Sequence, residues 1–211
     1  MVQYLISNEL IPNYQLPTIA IISEFCKRES MAMVMTAVLS ENVSLEDFIA
    51  SPADDMEWVD GQISEKNGMT VKHSRIQSRL DRAWGNYKDS SGQGGEVYTE
   101  VPCRTDRRVR RPDVAYLTAE LVAEYGDVPT LPQSPLLIAE IVSPTDIAEE
   151  IFLKAQEYLD SGCLEVWIVF PESRWILIMT QTQKLTFNLG STVSTQLVLP
   201  GFSLAVDELL A

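Results

Sequence analysis

The stretch Leu136-Leu137-Ile138-Ala139-Glu140-Ile141-Val142 decides how this chain folds. A continuous apolar run of this length is typical of a β-strand that is covered on both faces. The acid within it, Glu140, must leave water when the strand is buried, which costs several kcal/mol unless a cation or hydrogen-bond donors compensate. The sequence therefore predicts that the fold supplies a partner for Glu140.

The segment after this strand is predicted to turn back as a helix. Ser143-Pro144 ends the strand, because proline cannot continue a central ladder. Asp146 is a candidate N-cap for a helix that runs to about Ser161, and Gly162 ends it.

Lys154 on this helix is the first candidate partner of Glu140. It falls within an apolar stripe, so its side chain is expected to face the sheet. The stripe consists of Ile147, Ile151, Ala155 and Tyr158. The rise of the strand and that of the returning helix place Lys154 level with Glu140 to within a side-chain length.

The remaining patterns alternate strands with helices and then meander. We predict a hairpin over 56–64 that turns at Asp60-Gly61, an amphipathic helix over about 70–88, and short helices over 118–125 and 203–210. Further strands are predicted over 95–103, 109–117, 166–169, 174–180, 183–189 and 196–199. This order indicates an α/β fold with a mixed β-sheet flanked by α-helices.

Length and composition indicate one domain. The chain has 211 residues and no linker-like segment, so we expect a domain over 41–211 preceded by an N-terminal extension over 1–40. The extension is either an added helix or arm, or it reflects a translation start at Met31, Met33 or Met35. The 16 basic and 30 acidic residues give a net charge of −14, which on average repels nucleic acid and acidic membranes.

Cysteine spacing and hydropathy narrow the class further. Cys26, Cys103 and Cys163 have no C-x-x-C spacing, which argues against a zinc knuckle or a disulfide framework. No apolar run reaches the ~18 residues that span a bilayer, and the start lacks the pattern of a signal peptide. A cytoplasmic protein without a membrane partner is the expectation.

Asp113 and an arginine-rich segment provide the second group of functional candidates. Asp113 follows Pro112, which suits the start of a strand, and can join Glu140 if the two strands are neighbours. Two carboxylates are typical ligands of Mg²⁺ or Mn²⁺, and a lysine ammonium can orient a water or stabilise charge on a phosphate. Asp113, Glu140 and Lys154 together therefore fit phosphodiester hydrolysis.

The positive charge of the chain is concentrated just before Asp113. The basic residues there are Arg104, Arg107, Arg108, Arg110 and Arg111. Their guanidinium groups either bind the phosphates of a nucleic acid or pair with the excess acids of the protein itself.

Three further residues are auxiliary candidates. His73 lies on the stripe of the helix over 70–88, either as a core histidine or as a proton carrier facing the site. Glu57, at the start of the hairpin, is a possible metal ligand or a solvated carboxylate. Glu100, in the strand before the arginines, could also join a metal site.

Several short motifs resemble the Uma2 (DUF820) family of endonucleases, which is abundant in cyanobacteria. They are Arg111-Pro112-Asp113-Val114-Ala115, Ala139-Glu140-Ile141-Val142-Ser143-Pro144, Lys154 with Tyr158, and Glu165-Val166-Trp167. Glu57-Trp58-Val59-Asp60-Gly61, His73 and Leu199-Pro200-Gly201-Phe202 extend the resemblance over roughly 44–210. That family belongs to the PD-(D/E)xK restriction-endonuclease-like superfamily.

The resemblance implies a restriction-endonuclease-like fold and a metal-dependent DNA endonuclease, with a homodimer possible. Asp113 and Glu140 would bind the metal and Lys154 would be the catalytic lysine. Two residues depart from the pattern: Val142 stands two positions after Glu140, and Phe170 stands where the family often has an aspartate. A nucleic-acid-binding or regulatory module with weak or no turnover, and a purely structural domain with a buried ion pair, are the alternatives.

Overall fold

The computed structural model describes residues 43–66 and 70–211. The helices in these ranges are α1 (Leu45–Ala50), α2 (Val71–Ser91), α3 (Ala119–Tyr125), α4 (Ala148–Asp160) and α5 (Val206–Leu210). The strands are β1 (Met56–Val59), β2 (Gln62–Glu65), β3 (Glu96–Thr99), β4 (Cys103–Arg104), β5 (Val109–Arg110), β6 (Val114–Leu117), β7 (Leu137–Ile141), β8 (Glu165–Phe170), β9 (Trp175–Met179), β10 (Lys184–Asn188), β11 (Thr192–Ser194) and β12 (Ser203–Ala205).

The predicted extension over 1–40 lies outside the described residues, so the domain boundary stays a prediction. None of the helices within 43–66 and 70–211 has the length and apolar character needed to cross a bilayer.

Strand β7, predicted from its apolar run, lies inside a six-stranded sheet. The order of this main sheet is β10-β9-β8-β7-β6-β3. The pair β7–β8 is parallel and the other pairs are antiparallel, so the sheet is mixed. All five residues of β7 are buried, which confirms that both faces of the strand are covered.

The two faces of the main sheet bury different helices. On one face Leu137 and Ala139 pack with the stripe of α2, where Leu80 and Trp84 are fully buried. On the other face Ile138 packs with α4. Because side chains alternate along a strand, Glu140 points to the α4 face. Burying each large apolar side chain stabilises the fold by about 1.5–3 kcal/mol. A shift of β7 by one residue would move its apolar side chains to the wrong faces, so the strand keeps Glu140 on the α4 face.

Helix α2 forms where the amphipathic pattern predicted it and extends to Ser91. The Thr70 side chain accepts a hydrogen bond from the backbone N–H of His73 and so caps its N-terminus. Gly92, with φ 71°, ends it in the left-handed conformation that glycine adopts at low cost.

Helix α4 begins one residue later than predicted. Asp146 does not cap it: its carboxylate accepts a hydrogen bond from the backbone N–H of Ser143 at 2.7 Å and stabilises the turn after β7. The N-cap position is Ile147, which makes no side-chain capping bond. Glu149 and Glu150 lie in the first turn, where their negative charges stabilise the positive N-terminal end of the helix dipole.

The single strand predicted over 109–117 is wrong, because the chain changes sheets inside it. Strand β5 lies in a second sheet of four strands, the small sheet, whose order is β2-β1-β5-β4. Strand β6 lies in the main sheet. Arg111-Pro112-Asp113 joins them, and Pro112 has no N–H to continue a ladder. The strand predicted over 95–103 divides in the same way into β3 and β4.

The small sheet contains the predicted hairpin of β1 and β2. Its turn lies at Asp60-Gly61, with φ values of 51° and 91°, and positive φ at both positions is what a type I′ turn requires.

The strand predicted over 196–199 is also wrong, and the last helix is shorter than expected. The buried Glu165 carboxylate accepts the N–H groups of Gln196 and Leu197 at 2.7 and 2.8 Å, so these amides are not available to a strand. Strands β11 and β12 pair instead. Residues 203–205 therefore belong to a strand, and the helix begins at Val206.

Candidate active site

A cavity of about 730 Å³ lies at the edge of the main sheet where β6 begins and β7 ends. The main sheet, the small four-stranded sheet, α2 and α4 line it, and all three predicted catalytic residues reach it: Asp113, Glu140 and Lys154. Four lysines and arginines line the cavity beside a larger set of acids, which consists of Glu57, Asp60, Glu65, Asp113, Glu140, Asp146 and Glu150. The acidic excess favours a cation in this cavity.

Asp113, immediately before β6, is buried, and both of its carboxylate oxygens have hydrogen-bond partners. Its Oδ2 accepts the backbone N–H of Ile141 at 2.6 Å and lies 3.2 Å from Nε2 of His73. Its Oδ1 lies 2.7 Å from Nζ of Lys66. Burial opposes ionisation of this carboxyl, but the Lys66 ammonium and the His73 hydrogen bond hold its pKa well below the usual range. Asp113 is therefore a carboxylate at neutral pH.

Glu140 lies across the strand pair from Asp113, as the register of Val114 with Ala139 requires. Its Oε1 accepts the Tyr158 hydroxyl at 2.7 Å. Burial raises the pKa of Glu140, and the negative charge of Asp113 adds to this, although Lys154 acts in the opposite direction. A further cation near the two carboxylates would relieve their repulsion.

Lys154 faces the sheet, as its place in the helical stripe predicted. Its Nζ lies 3.1 Å from Oε1 of Glu140 and 2.9 Å from Oε1 of Glu57. Burial disfavours the ammonium, but Glu140 and Glu57 together raise the pKa of Lys154. The lysine is therefore charged at neutral pH, with its side chain only 13% exposed.

Glu57 holds Lys154 in place. Sequence alone left it open as a solvated carboxylate, but the structure buries it. Besides Lys154 it accepts the backbone N–H of Arg111 and Nη1 of Arg110, each at 2.9 Å. Burial alone would raise its pKa, but Lys154 and Arg110 lower it to about 2. Glu57 is thus committed to three donors and positions Lys154 beside Glu140.

Arg108 and Arg110 pair with acids of the protein itself. Arg108 contacts Asp60 and lies 2.7 Å from Glu157, and Arg110 lies 2.8 Å from the same Glu157 oxygen. Arg110 also contacts Glu57. The structure therefore favours the alternative in which these arginines neutralise the protein's own acids.

Arg111 has a structural position. It is buried and donates to the backbone carbonyls of Met56, Glu100 and Ala53 at 2.9–3.1 Å. Of the five arginines only Arg104 and Arg107 are exposed. DNA binding by this segment stays a prediction, and these two guanidinium groups are the ones that solvent reaches freely.

His73 and Gln77 occupy the same face of α2 and contact the Asp113 region. Gln77 Nε2 donates to Oε1 of Glu100 and to the carbonyl of Asp113, both at 2.9 Å. Burial lowers the pKa of His73, but the Asp113 hydrogen bond and charge raise it above the ordinary value. His73 Nδ1 is buried without a hydrogen-bond partner among the described residues. The described residues therefore satisfy only one of the two ring nitrogens of His73.

Lys66 is the site residue that sequence reasoning missed. Its ammonium bonds to Glu100, to Asp113 and to the carbonyl of Arg111. It lies just after β2 in a polar segment with no periodicity, so no pattern marks its direction. One indirect signal is the strand pairing. Strand β1 pairs with both β2 and β5, so the end of β2, where Lys66 lies, comes into the same sheet as β5, which leads to Asp113.

The donor set fits one hydrated Mg²⁺ or Mn²⁺ ion. The described residues contain no group of three or more histidine, cysteine, aspartate or glutamate side chains placed to hold a metal. Mg²⁺, however, is usually bound by one or two carboxylates together with waters and phosphate oxygens. Asp113 and Glu140 are such a pair, with oxygen ligands and excess negative charge.

The two departures noted in the sequence add no ligand. Val142 packs against the apolar cluster on the α4 face. Phe170, at the end of β8, stacks on Trp175 with ring centroids 4.4 Å apart and an interplanar angle of 5°. Phe170 therefore makes an aromatic contact, and its side chain has no oxygen that could bind a metal.

Comparison with known proteins agrees with this architecture. The model of the Uma2 family, described as "Putative restriction endonuclease", matches residues 43–207. A crystal structure of "a putative nuclease belonging to DUF820" from Anabaena variabilis ATCC 29413 has a TM-score of 0.71 and 19% identity, over 80% of this chain and 97% of that one. At this identity the likeness shows a shared fold, and it confirms the predicted fold class.

A DrdV–DNA complex matches with a TM-score of only 0.35 and 16% identity, over 56% of this chain and 10% of that one. No curated protein matches the chain.

Proposed function

The chain belongs to the Uma2 family, and we propose that it is a divalent-metal-dependent endonuclease that hydrolyses phosphodiester bonds of DNA. The observation that carries the proposal is the meeting of three side chains at one cavity: Asp113 and Glu140 on neighbouring strands, and Lys154 with its Nζ 3.1 Å from Glu140.

Each of these residues has a distinct task in the proposed reaction. Asp113 and Glu140 would hold Mg²⁺ or Mn²⁺ through carboxylate oxygens. Such an ion, when bound, polarises a phosphoryl oxygen and lowers the pKa of a bound water. Lys154 would orient the attacking water or stabilise negative charge on the phosphate, since its ammonium stays charged beside Glu57 and Glu140.

The charges around the cavity indicate that a metal ion must bind before DNA does. The acids around it outnumber the bases, so a phosphate backbone alone would be repelled. A divalent cation held by Asp113 and Glu140 would offset most of this negative charge where the scissile phosphate must approach. The proposal therefore requires metal for productive DNA binding as well as for hydrolysis.

Nicking of supercoiled plasmid tests this function. Purified protein is incubated with Mg²⁺, with Mn²⁺ or with EDTA, beside the variants Asp113→Asn and Lys154→Met. We expect metal-dependent nicking by the wild type and a loss of on the order of 10²-fold or more in each variant. Asp160→Asn, an exposed acid at the end of α4, is the matched control and should retain activity.

The outcomes separate the proposal from its alternatives. Cleavage that persists undiminished in both variants would show that the site is elsewhere. Gel-shift binding of DNA without any cleavage would instead favour a nucleic-acid-binding module. Neither binding nor cleavage, with no stabilisation by Mn²⁺ in a melting scan, would favour a structural domain.

A further inference from the structure

Three oxygen atoms converge on the ammonium of Lys66. Its Nζ lies 2.6 Å from Oε2 of Glu100, 2.7 Å from Oδ1 of Asp113 and 2.8 Å from the carbonyl oxygen of Arg111. Two carboxylates and a backbone carbonyl form the kind of oxygen set that binds Ca²⁺, Mg²⁺ or Mn²⁺. The ammonium is therefore surrounded by oxygen atoms of the types that bind these ions.

The oxygen atoms are held in place by contacts that do not involve Lys66. Gln77 donates to the other oxygen of Glu100 at 2.9 Å, and Nη1 of Arg111 donates to the Glu100 carbonyl at 2.9 Å. Asp113 is fixed by the N–H of Ile141 at 2.6 Å. Removal of the Lys66 side chain would thus leave an oxygen-lined site whose ligands are already positioned.

A second observation indicates that the surroundings suit a bound ligand. His73, 5% exposed, lines the same cavity and contacts Asp113, and its Nδ1 is buried without a partner within the described ranges. Buried polar atoms normally find a partner. The ring of His73 therefore lies beside Asp113, with Nε2 at 3.2 Å from Oδ2, and keeps its other nitrogen without a partner among the described residues.

The charges show why a cation is favoured here. Glu100 and Asp113 are both largely buried, with side chains 20% and 3% exposed. Without Lys66 they would leave uncompensated negative charge next to Glu140, which is costly at such burial. A divalent ion could replace the ammonium, but the two cations cannot both contact the same Asp113 oxygen without strong repulsion.

We infer that Glu100, Asp113 and the Arg111 carbonyl form a divalent-cation site, and that Lys66 fills it with its ammonium in competition with the metal. The inference deepens the proposed function, because Asp113 is one of the two proposed metal ligands of the nuclease. Lys66 then sets the metal concentration at which the site fills: displacement of its ammonium lowers the apparent affinity of the wild type.

Calorimetric titration of the full chain with Mn²⁺, in the absence of DNA, tests the competition. We expect Lys66→Met to bind Mn²⁺ with a Kd at least about tenfold lower than the wild type, because no ammonium needs to be displaced. Lys88→Met is the matched control: Lys88 is 10% exposed and lies between Asp89 at 2.8 Å and Glu96 at 3.3 Å. It should leave Mn²⁺ binding unchanged.

A second substitution identifies the ligands that produce the gain. The double variant Lys66→Met/Glu100→Gln removes one positive and one negative charge, and we expect it to lose most of the gained affinity. A gain that survives in this double variant would place the new ion elsewhere. Equal or weaker Mn²⁺ binding by Lys66→Met would overturn the inference.

Folding is checked by circular dichroism before each titration. If Lys66→Met folds only when Mn²⁺ is added, the ion has replaced the ammonium and the inference is supported. If it stays unfolded with Mn²⁺, Lys66→Gln, which keeps a hydrogen-bond donor but no charge, is titrated with the same expected gain and the same overturning result.

Failure of the inference and failure of the nuclease proposal give different results. Tighter Mn²⁺ binding by Lys66→Met, in a protein that never nicks DNA, supports the cation site and contradicts the nuclease. Nicking by the wild type without any gain for Lys66→Met supports the nuclease and contradicts the competition.

Discussion

The backbone N–H of Ile141 donates to Oδ2 of Asp113 at 2.6 Å, which fixes the start of β6 against the residue that follows Glu140. This bond holds two acids at one edge of the main sheet, although their charges repel each other. The repulsion adds to burial in raising the pKa of Glu140. The protein counters it with two lysines, one from each side of the cavity.

Lys154→Met should separate hydrolysis from metal binding. The methionine keeps most of the side-chain volume but removes the ammonium beside Glu140 and Glu57. We expect nicking to fall by on the order of 10²-fold, while Mn²⁺ binding measured by calorimetry is retained or tightened, since one competing positive charge is gone. Loss of Mn²⁺ binding together with activity would contradict the role given to Lys154 and assign it to support of the metal site.

Glu57→Gln should lower stability in a pH-dependent way. The pKa of Glu57 is about 2 in the folded protein against an ordinary 4.5, so its ionised form contributes stability that is present above pH ~4.5 and is lost as pH falls toward 2. The difference corresponds to ~3 kcal/mol. Urea unfolding of the wild type and the variant is measured at several pH values. The difference between their free energies of unfolding should be largest above pH ~4.5 and should shrink below it.

The control for this prediction is Glu172→Gln. Glu172 is 68% exposed and pairs with Lys72 at 2.9 Å, an exposed ion pair worth less than ~1 kcal/mol. A gap for Glu57→Gln that stays constant from pH 7 to 3 would show that the carboxylate charge is not what stabilises the fold.

The exposed and the buried arginines should behave differently. The double variant Arg104→Ala/Arg107→Ala is expected to keep the stability of the wild type and to weaken DNA binding, with the slope of log affinity against log salt reduced by up to about 2. Arg110→Ala should destabilise the protein by ~3–5 kcal/mol, because the buried carboxylates of Glu57 and Glu157 lose this partner. Gel shifts at several salt concentrations measure the change in DNA binding, and urea unfolding measures the change in stability. An unchanged salt slope would remove Arg104 and Arg107 from the DNA-binding surface.

Gly95→Ala should destabilise the edge of the main sheet. Gly95 has φ 78°, and a Cβ there would lie 2.2 Å from the Leu117 carbonyl oxygen and 2.9 Å from the Tyr116 ring. Gly92→Ala is the matched control, with φ 71° and open space around the new Cβ. We expect Gly92→Ala to lower the free energy of unfolding by ~1 kcal/mol. Gly95→Ala should lower it by at least ~2 kcal/mol more. Equal losses in thermal unfolding would show that the backbone near Leu117 yields easily.

Sequence periodicity was sufficient where a long regular pattern existed. The apolar run of β7 and the stripe of α4 correctly placed Lys154 against Glu140, because a strand and a helix fix side-chain direction by geometry alone. The same reasoning placed His73 on the inner face of α2. Their catalytic or metal-binding roles stay predictions.

Periodicity failed where side chains from distant segments decide the structure. The strand break at Pro112 and the amides bound by Glu165 depend on tertiary contacts that no local pattern shows. Lys66 reaches Asp113 across 47 positions of sequence, and the pairing of Arg108 with Glu157 spans 49. A charged residue in a polar segment gives no sign of which way it points, so these contacts could be read only from the folded chain.

The small sheet brings Glu57 and Lys66 to the cavity, while Asp113 and Glu140 belong to the main sheet. Each positive charge is therefore matched by acids from a different part of the chain, and one substitution alone leaves an opposite charge buried. This constrains how the sequence can drift over evolutionary time: positions 66 and 100, and positions 57, 110 and 154, are expected to covary as sets among relatives. An alignment in which these positions vary independently would contradict that expectation.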